Sequence, residues 1–521
     1  MLKLRKILSL LLAVLMLAAV LCGCGDGKPT AQPEAAPGEE SDSATKEPVY
    51  GGTLTVGIAQ DLDDSLDPHT MAVAGTREVL FNVFEGLVKP DTEGNLIPAI
   101  ASDYVIGENA DTFTFTLREG VKFHDGREVT VGDVVYSLNR VAGFETGTPL
   151  VSTFSAVESV EAIDEKTVVV KTKEPYLEFL AFLNCAIIPE GNIPAEDGLI
   201  GTGPFKFVSR SAQEDLVLAK NEEYWGEKAY VDKVVFKIIE NGDTLVMGLK
   251  SGAIDLCAHL TSTQIIGLEN DFNILDGSMN LVQALFLNNA YEPLQDIRVR
   301  QALNHAVDRQ MILDFVSNGK GYIIGSNMYP AFAKYYEDLT ALYPYDPQKA
   351  KSLLAEAGYA DGFDFVITVP SNYPFHVDTA QVVAEQLKAV GINCTIDTVE
   401  WGTWYDEVYK GRNFHGTILG FDASDAMTAQ SLLARYESTH AKNMSNYVSE
   451  RYDEVYNAAL TATTEAEQVA LYKQAQTILA EDASNVYLQD PCDFVALRKG
   501  IEGYVFYPIY VMDLSKVHFV E

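Results

Sequence analysis

The spacing of apolar and polar side chains changes period several times along this chain, and each change predicts an element. In residues 53–58, TLTVGI, Leu54, Val56 and Ile58 alternate with small or polar positions, the pattern of a half-buried strand. Residues 112–118 repeat it, with Phe113, Phe115 and Leu117 pointing one way and threonines the other. A basic, glycine-punctuated turn follows, and Thr130 and Asp133 lead into a helix carrying Val134, Val135 and Leu138 on one face. Another helix is predicted from Thr76, and further strands at 166–171, 215–220 and 233–239.

The second part of the chain alternates strands with longer helices. Val299, Leu303, Ala306 and Val307 keep helical spacing from residue 296 onward. Asp346 and Pro347 form an N-cap with proline at the first helical position, and Gly358 closes that helix. Residues 363–369 alternate as a strand, 379–390 form a helix stopped by Gly391, and Ile392, Cys394 and Ile396 alternate again. Thr464 and Glu467 have the spacing of a capping box before Leu471, Ala475, Ile478 and Leu479. Strands and helices in this order predict an α/β protein with mixed sheets flanked by helices.

With 521 residues, the chain exceeds one ordinary core, so two or three domains are expected. Its net charge of −36 argues against nucleic acid or an anionic lipid surface as a partner, since both require a basic footprint. The N-terminus carries an address. Lys3, Arg5 and Lys6 precede an apolar run at 7–21 that is too short to span a bilayer, as a secretory signal would be. The run ends in Leu21-Cys22-Gly23-Cys24, which resembles a lipoprotein box. The expectation is a signal peptide over 1–23, cleavage before Cys24 and a lipid on its sulfur; an uncleaved anchor helix is the alternative. Residues 24–49 then read as a tether, because their Pro, Ala, Glu, Ser and Thr cannot bury a core. Such an anchor places the folded part outside the cytoplasm, on the outer face of the cell membrane.

Candidate chemistry is sparse. Cys185, Cys257, Cys394 and Cys492 show no CxxC or Cys/His spacing, which leaves buried thiols or one disulfide among them. The Gly201-Thr202-Gly203-Pro204-Phe205 turn contains a G-x-G, but Pro204 removes an amide donor and no helix opens on a third glycine. The eight histidines are scattered, and no G-x-S-x-G or H-E-x-x-H occurs. Nothing calls for a metal or another cofactor.

Several words of the sequence are specific. EGLV, P-x-I-A, F-x-L-R-E-G-V-K-F-H-D-G and D-V-x-Y-S-L fall within residues 84–141. After them come GTGPF, N-x-x-Y-W, S-G-x-I-D, D-x-R-V-R-Q-A-L-x-x-A-V-D-R and L-L-x-E-A-G-Y. In this order they resemble the family 5 extracellular solute-binding proteins, the peptide- and nickel-binding receptors of ABC importers.

The resemblance implies a two-lobed, type II periplasmic-binding-protein-like fold with a satellite domain. Residues 50–87, 200–286 and 492–521 would build lobe I, 88–199 the satellite, and 287–491 lobe II. It further implies a monomer without catalytic residues that captures a peptide-like solute for the permease subunits of an importer. Ligand contacts would come from Ala72, Val73 and Ala74 after the Leu-Asp-Pro turn, from Trp401 and Trp404, from Phe421, Asp422 and Asp425, and from Tyr510. Peptide-binding members hold the ligand amine with an aspartate that aligns here with Ser424, so Asp422 or Asp425 would have to serve. A basic residue that some members use for the ligand carboxylate is replaced by Ile418. A nickel or metallophore receptor of the same fold, and a secreted hydrolase, are the alternative functions.

Overall fold

A computed structural model describes residues 47–71, 73–194, 198–423 and 426–521. The predicted signal peptide, Cys24 and most of the predicted tether, together with Ala72, Ser424 and Asp425, lie outside the described residues. The end of the predicted tether does not behave as one: Pro48 and Val49 pair antiparallel with Val520 and Phe519, so backbone hydrogen bonds tie them to the C-terminus.

The chain opens with β1 (Thr53–Ile58) and α1 (Ala74–Leu80). It then builds a separate module of β2 (Ala101–Ile106), β3 (Thr112–Leu117), α2 (Val131–Ala142), β4 (Val157–Ala162) and β5 (Thr167–Thr172). Four antiparallel strands in the order β2-β3-β5-β4 bury Phe113 and Phe115 against Val134 and Leu138 of α2. The start of α2 is fixed reciprocally. The Asp133 amide donates to the Thr130 hydroxyl, and the Thr130 amide donates to Asp133 at 2.8 Å.

Next come β6 (Phe205–Ser211), β7 (Asp215–Lys220), β8 (Lys233–Ile238), β9 (Leu256–Leu260) and β10 (Phe272–Ser278). The elements after these include β11 (Val282–Leu287), α3 (Ile297–Ala306), β12 (Gly321–Ile323), α4 (Pro347–Glu356), β13 (Asp364–Pro370), α5 (Pro374–Ala389), β14 (Asn393–Val399), β15 (Gly416–Phe421), α6 (Ala429–Leu433), α7 (Glu465–Glu481) and β16 (Asn485–Arg498). Helix α5 starts earlier than its hydrophobic spacing suggests, because Pro374 has the backbone angle of a first helical turn and needs no amide partner there.

A 12-stranded mixed sheet runs β14-β13-β15-β11-β16-β9-β1-β8-β7-β6, with β10 and β12 also paired to β16. Two regions of this sheet have different cores. Leu54, Val56, Val79, Leu216 and Phe236 pack around β1 and β8. Around β13, Ile367 packs with Val299 and Leu303 of α3, Leu353 of α4, and Val383 and Leu387 of α5. On the opposite face, Phe286 packs with Trp404, Tyr452, Tyr472 and Leu479. Strand β16 links the regions: residues 485–489 pair with β11, and residues 494–497 pair with β9.

The specific words of the sequence meet at one carboxylate. Buried Glu85 of EGLV accepts hydrogen bonds from Thr202 of GTGPF (3.1 Å) and from Tyr224 and Trp225 of N-x-x-Y-W (2.7 Å each). Lys89 lies 3.3 Å from Glu85, and the Arg118 guanidinium lies 4.3 Å over the Trp225 ring. Burying a carboxylate is costly unless its oxygens are satisfied, so three separate stretches are held together by one requirement. His124 belongs to the same joint: it contacts Gly203 O at 3.1 Å, and burial pushes its imidazole down to about 4. It is therefore a neutral structural donor.

Candidate functional site

The chain crosses between the two regions of the large sheet along β16 and along the short turn from β10 to β11. Asp490 joins these crossovers. It accepts from the Ser278 hydroxyl and from the Leu281 amide at 3.0 Å. Burial pushes its carboxyl up to about 7 despite these donors. These two crossovers, where the chain passes between the regions, are termed the hinge.

Beside the hinge lies a charged cluster from four distant parts of the chain. His259 at the end of β9 contacts Glu78 of α1 at 2.8 Å and Asp493 of β16 at 3.1 Å. Burial opposes a charge on this imidazole, but the two carboxylates override that effect and hold it well above its ordinary value. Tyr510 stacks on it, with ring centroids 4.5 Å apart and planes 13° apart. The His259 backbone has φ 59°, a left-handed conformation that costs a non-glycine residue energy and is concentrated at functional sites.

Opposite this cluster stands an aromatic wall. Trp401 is 43% exposed, meets Tyr373 edge to face at 5.7 Å and stacks on Trp404 at 5.2 Å. A π-helical stretch, Trp404–Lys410, then places the Tyr405 and Tyr409 rings in a stack at 5.5 Å. Phe421, at the end of β15, is half-buried against Phe286, and the Arg435 guanidinium lies 3.6 Å over its ring. Asp422 follows it. The charge of Asp422 is felt by Arg435, Tyr329 and Tyr373 around it, and also by Tyr510 on the other side. Burial, together with Glu78, Asp493 and Asp422, raises the Tyr510 hydroxyl well above its ordinary value.

The sequence-predicted residues thus fall in different places. Asp422 lies within electrostatic reach of Tyr510 and of Tyr373, Phe421 precedes it, and Trp401 packs edge to face on Tyr373. Trp404 is 1% exposed, donates to the Thr417 hydroxyl at 3.0 Å and stacks against Trp401. Val73 is the N-cap of α1, its amide donating to Asp63 at 2.9 Å, and Ala74 is the first residue of that helix. Its neighbours Met71 and Arg77 line a cavity of about 220 Å³ that reaches Phe154 and Phe182 of the module, Ala426, and the C-terminal Tyr507 and Tyr510. The four cysteines in the described residues are free thiols. Glu78, His259, Asn280, Tyr373, Arg435 and Asp493 were not singled out from sequence, because none stands in a recognisable spacing. Only the S-G-x-I-D word, which ends four residues before His259, marks the neighbourhood.

Two regions joined at a hinge, with polar and aromatic groups facing one another across it, define the class of two-lobed solute-binding proteins. The chain belongs to the bacterial extracellular solute-binding proteins, family 5, whose model matches residues 95–443. It is 28% identical to heme-binding protein A of Haemophilus influenzae, over 96% of this chain and 97% of that one. It is also 28% identical to oligopeptide-binding protein AppA of Bacillus subtilis, over 97% of each chain, and to the dipeptide-binding protein of Escherichia coli, over 81% of this chain and 85% of that one. The solved structure of the periplasmic binding protein DppA from Helicobacter pylori, in complex with the peptide STSA, has a TM-score of 0.75 at 26% identity, covering 91% of this chain and 99% of the other. Family and fold agree with the expectations drawn from the sequence words. Among the described residues, no helix is long and apolar enough to cross a membrane.

Proposed function

We propose that this chain is the lipid-anchored, extracytoplasmic receptor of an ABC importer, which captures a peptide-like solute between two lobes and presents it to permease subunits. On this reading lobe I comprises residues 50–87, 200–286 and 492–521, the satellite domain 88–199, and lobe II 287–491. Cys24 carries the lipid, and the receptor works as a monomer that binds without chemical turnover.

The observation that supports this most is the relation of Tyr510 in lobe I to Asp422 in lobe II, each within electrostatic reach of the other across the hinge. Ligand contacts on both faces favour a closed form over an open one by their differential free energy. An extended peptide suits such a space, because its backbone pairs with polar edges while its charged ends are gripped. Asp422, or Asp425 beyond it in sequence, holds the ligand amine; Trp401 and Phe421 pack on the ligand, Tyr510 forms the floor, and residues 72–74 border it. Dipeptides and oligopeptides are the named ligands of two relatives, which favours this solute class.

A thermal-shift panel of di- to nonapeptides and nickel chelates tests the reading. A true peptide ligand at 100 times its Kd stabilises the fold by about 2.7 kcal/mol. A response to chelates alone contradicts the peptide assignment, and cleavage of a bound peptide contradicts the receptor assignment.

A further inference from the structure

The cavity beside Met71 and Arg77, of about 220 Å³, draws its apolar walls from distant stretches: Phe81 and Phe84 after α1, Val151 and Phe154 after α2, Phe182, and the C-terminal Val511. Its rings are held by other rings. Phe154 and Phe182 both lie against buried Phe179, at centroid distances of 5.3 and 6.3 Å, and Phe81 meets Tyr507 edge to face at 5.7 Å. An apolar cavity of about 150 Å³ already binds benzene, while pockets that enclose a whole drug-sized ligand run to roughly 300–1,000 Å³. The space therefore suits one ring-bearing side chain, not an entire solute.

The charged groups on its walls are turned to partners within the protein. Lys89 lies 3.3 Å from Glu85 and donates to the Tyr224 hydroxyl at 3.2 Å. Asp513 accepts from the Tyr507 hydroxyl at 2.8 Å and from the Ser515 amide at 2.9 Å. His69 contacts the Ala186 carbonyl at 2.7 Å, and burial pushes its imidazole down to about 4, so it is neutral. Arg77 is likewise engaged. Two cations, Arg77 and Lys89, thus offset two carboxylates, Glu85 and Asp513, and no net charge calls for an ion. A polar group entering here gives up water for partners that are already taken, whereas an apolar ring gains by leaving water. Against walls rich in phenylalanine, an aromatic ring also makes edge-to-face contacts that an aliphatic chain lacks.

We infer that this cavity is a side-chain subsite that takes one aromatic residue of the peptide-like solute. The inference rests on the receptor reading for its ligand and adds a side-chain preference to it. Tyr510, the proposed floor of the ligand space, is also a wall of this cavity, so one solute can occupy both.

The test is calorimetric titration of the full chain and of two variants, Val151→Phe and Val511→Phe, which fill the cavity from separate stretches. Both positions are partly exposed, so neither change overpacks a closed core, and thermal melting checks that each variant folds. The probes are Phe-Ala-Ala, Ala-Phe-Ala and Ala-Ala-Phe, the same three with glutamine in place of phenylalanine, Ala-Ala-Ala, and toluene as the free ring. In the wild type, one phenylalanine peptide is expected to bind at least about tenfold tighter than Ala-Ala-Ala, and its glutamine counterpart no tighter. Each folded variant should bind the phenylalanine and alanine peptides equally. The subsite is overturned, with the peptide receptor intact, by a phenylalanine preference of the same size in a folded variant, by a glutamine peptide as tight as its phenylalanine counterpart, or by no preference at all. The glutamine comparison in the wild type stands whether or not a variant folds. If no tripeptide binds, the receptor reading fails for such peptides, and saturation-transfer NMR with toluene decides the cavity: wild-type binding lost in the folded variants sustains it, and binding kept in them, or none, overturns it.

Discussion

The Tyr472 hydroxyl on α7 donates to Glu178 Oε2, in the segment just after the four-stranded module, at 2.6 Å. Glu178 also accepts from the Ala429 amide at 2.6 Å and the Gln430 amide at 3.3 Å, the first two amides of α6. Beside it the Tyr176 hydroxyl donates to Gln430 Oε1. One buried carboxylate therefore ties the segment that follows the four-stranded module to α6 and α7. On the domain division proposed above, this contact joins the satellite to lobe II and would act as a latch on the closed form.

Glu178→Ala strips an acceptor from three donors at once. With about 1–3 kcal/mol for each buried group left unpaired, the closed form should lose several kcal/mol. Small-angle scattering of the free protein is expected to report a larger radius of gyration for the variant than for the wild type. An unchanged radius together with unchanged melting would remove the latch role.

The latch also carries a pH signature. Burial pushes Glu178 up to about 7, partly offset by the Tyr472 and backbone donors. Between the ordinary carboxyl range and 7, the folded protein holds a proton that the unfolded chain releases, so this contribution to stability falls as pH rises. Asp490, also about 7, acts in the same direction. His69, His124 and His376, pushed down by burial to about 4, 4 and 3, act oppositely below 6.5. The informative quantity is the stability of wild type minus that of Glu178→Gln, measured by urea unfolding. It should decrease from pH 5 to pH 7.5; a flat difference would show that burial does not raise this carboxyl.

Adjacent tryptophans should separate binding from folding. Trp401→Ala removes a partly exposed ring and is expected to weaken ligand binding with about 1 kcal/mol or less of stability lost. Trp404→Ala empties a core site and should cost about 3–5 kcal/mol in denaturant unfolding. Equal effects of both substitutions on stability would contradict the division of roles.

Glu85 is a third target. Glu85→Ala leaves the Tyr224, Trp225 and Thr202 donors facing an apolar gap and should cost at least about 3 kcal/mol. Glu85→Gln retains the shape and should recover part of it. A variant as stable as the wild type would mean that the convergence of the three stretches on this carboxylate is incidental.

Much of the fold was legible because it is written in short-range patterns. Phe113, Phe115 and Leu117 declare a strand, and Thr130 with Asp133 declares a helix start, without reference to distant residues. The candidate contacts were named only through resemblance, which does not distinguish the partly exposed Trp401 from the buried Trp404. His259, Asn280 and Glu178 left no trace, since their meaning comes from partners 181, 227 and 294 residues away. Left-handed backbone angles such as those at His259 and Asn280 leave only a weak signal: Asn and His adopt them more readily than other non-glycine residues, but most of them do not.

The central claim is that two lobes close on an intact peptide-like solute. Native mass spectrometry of the chain mixed with a defined library of di- to nonapeptides tests it most directly. The account predicts one peptide per chain, released with its mass unchanged on denaturation. Bare protein at every peptide concentration, or release of peptide fragments, would contradict it.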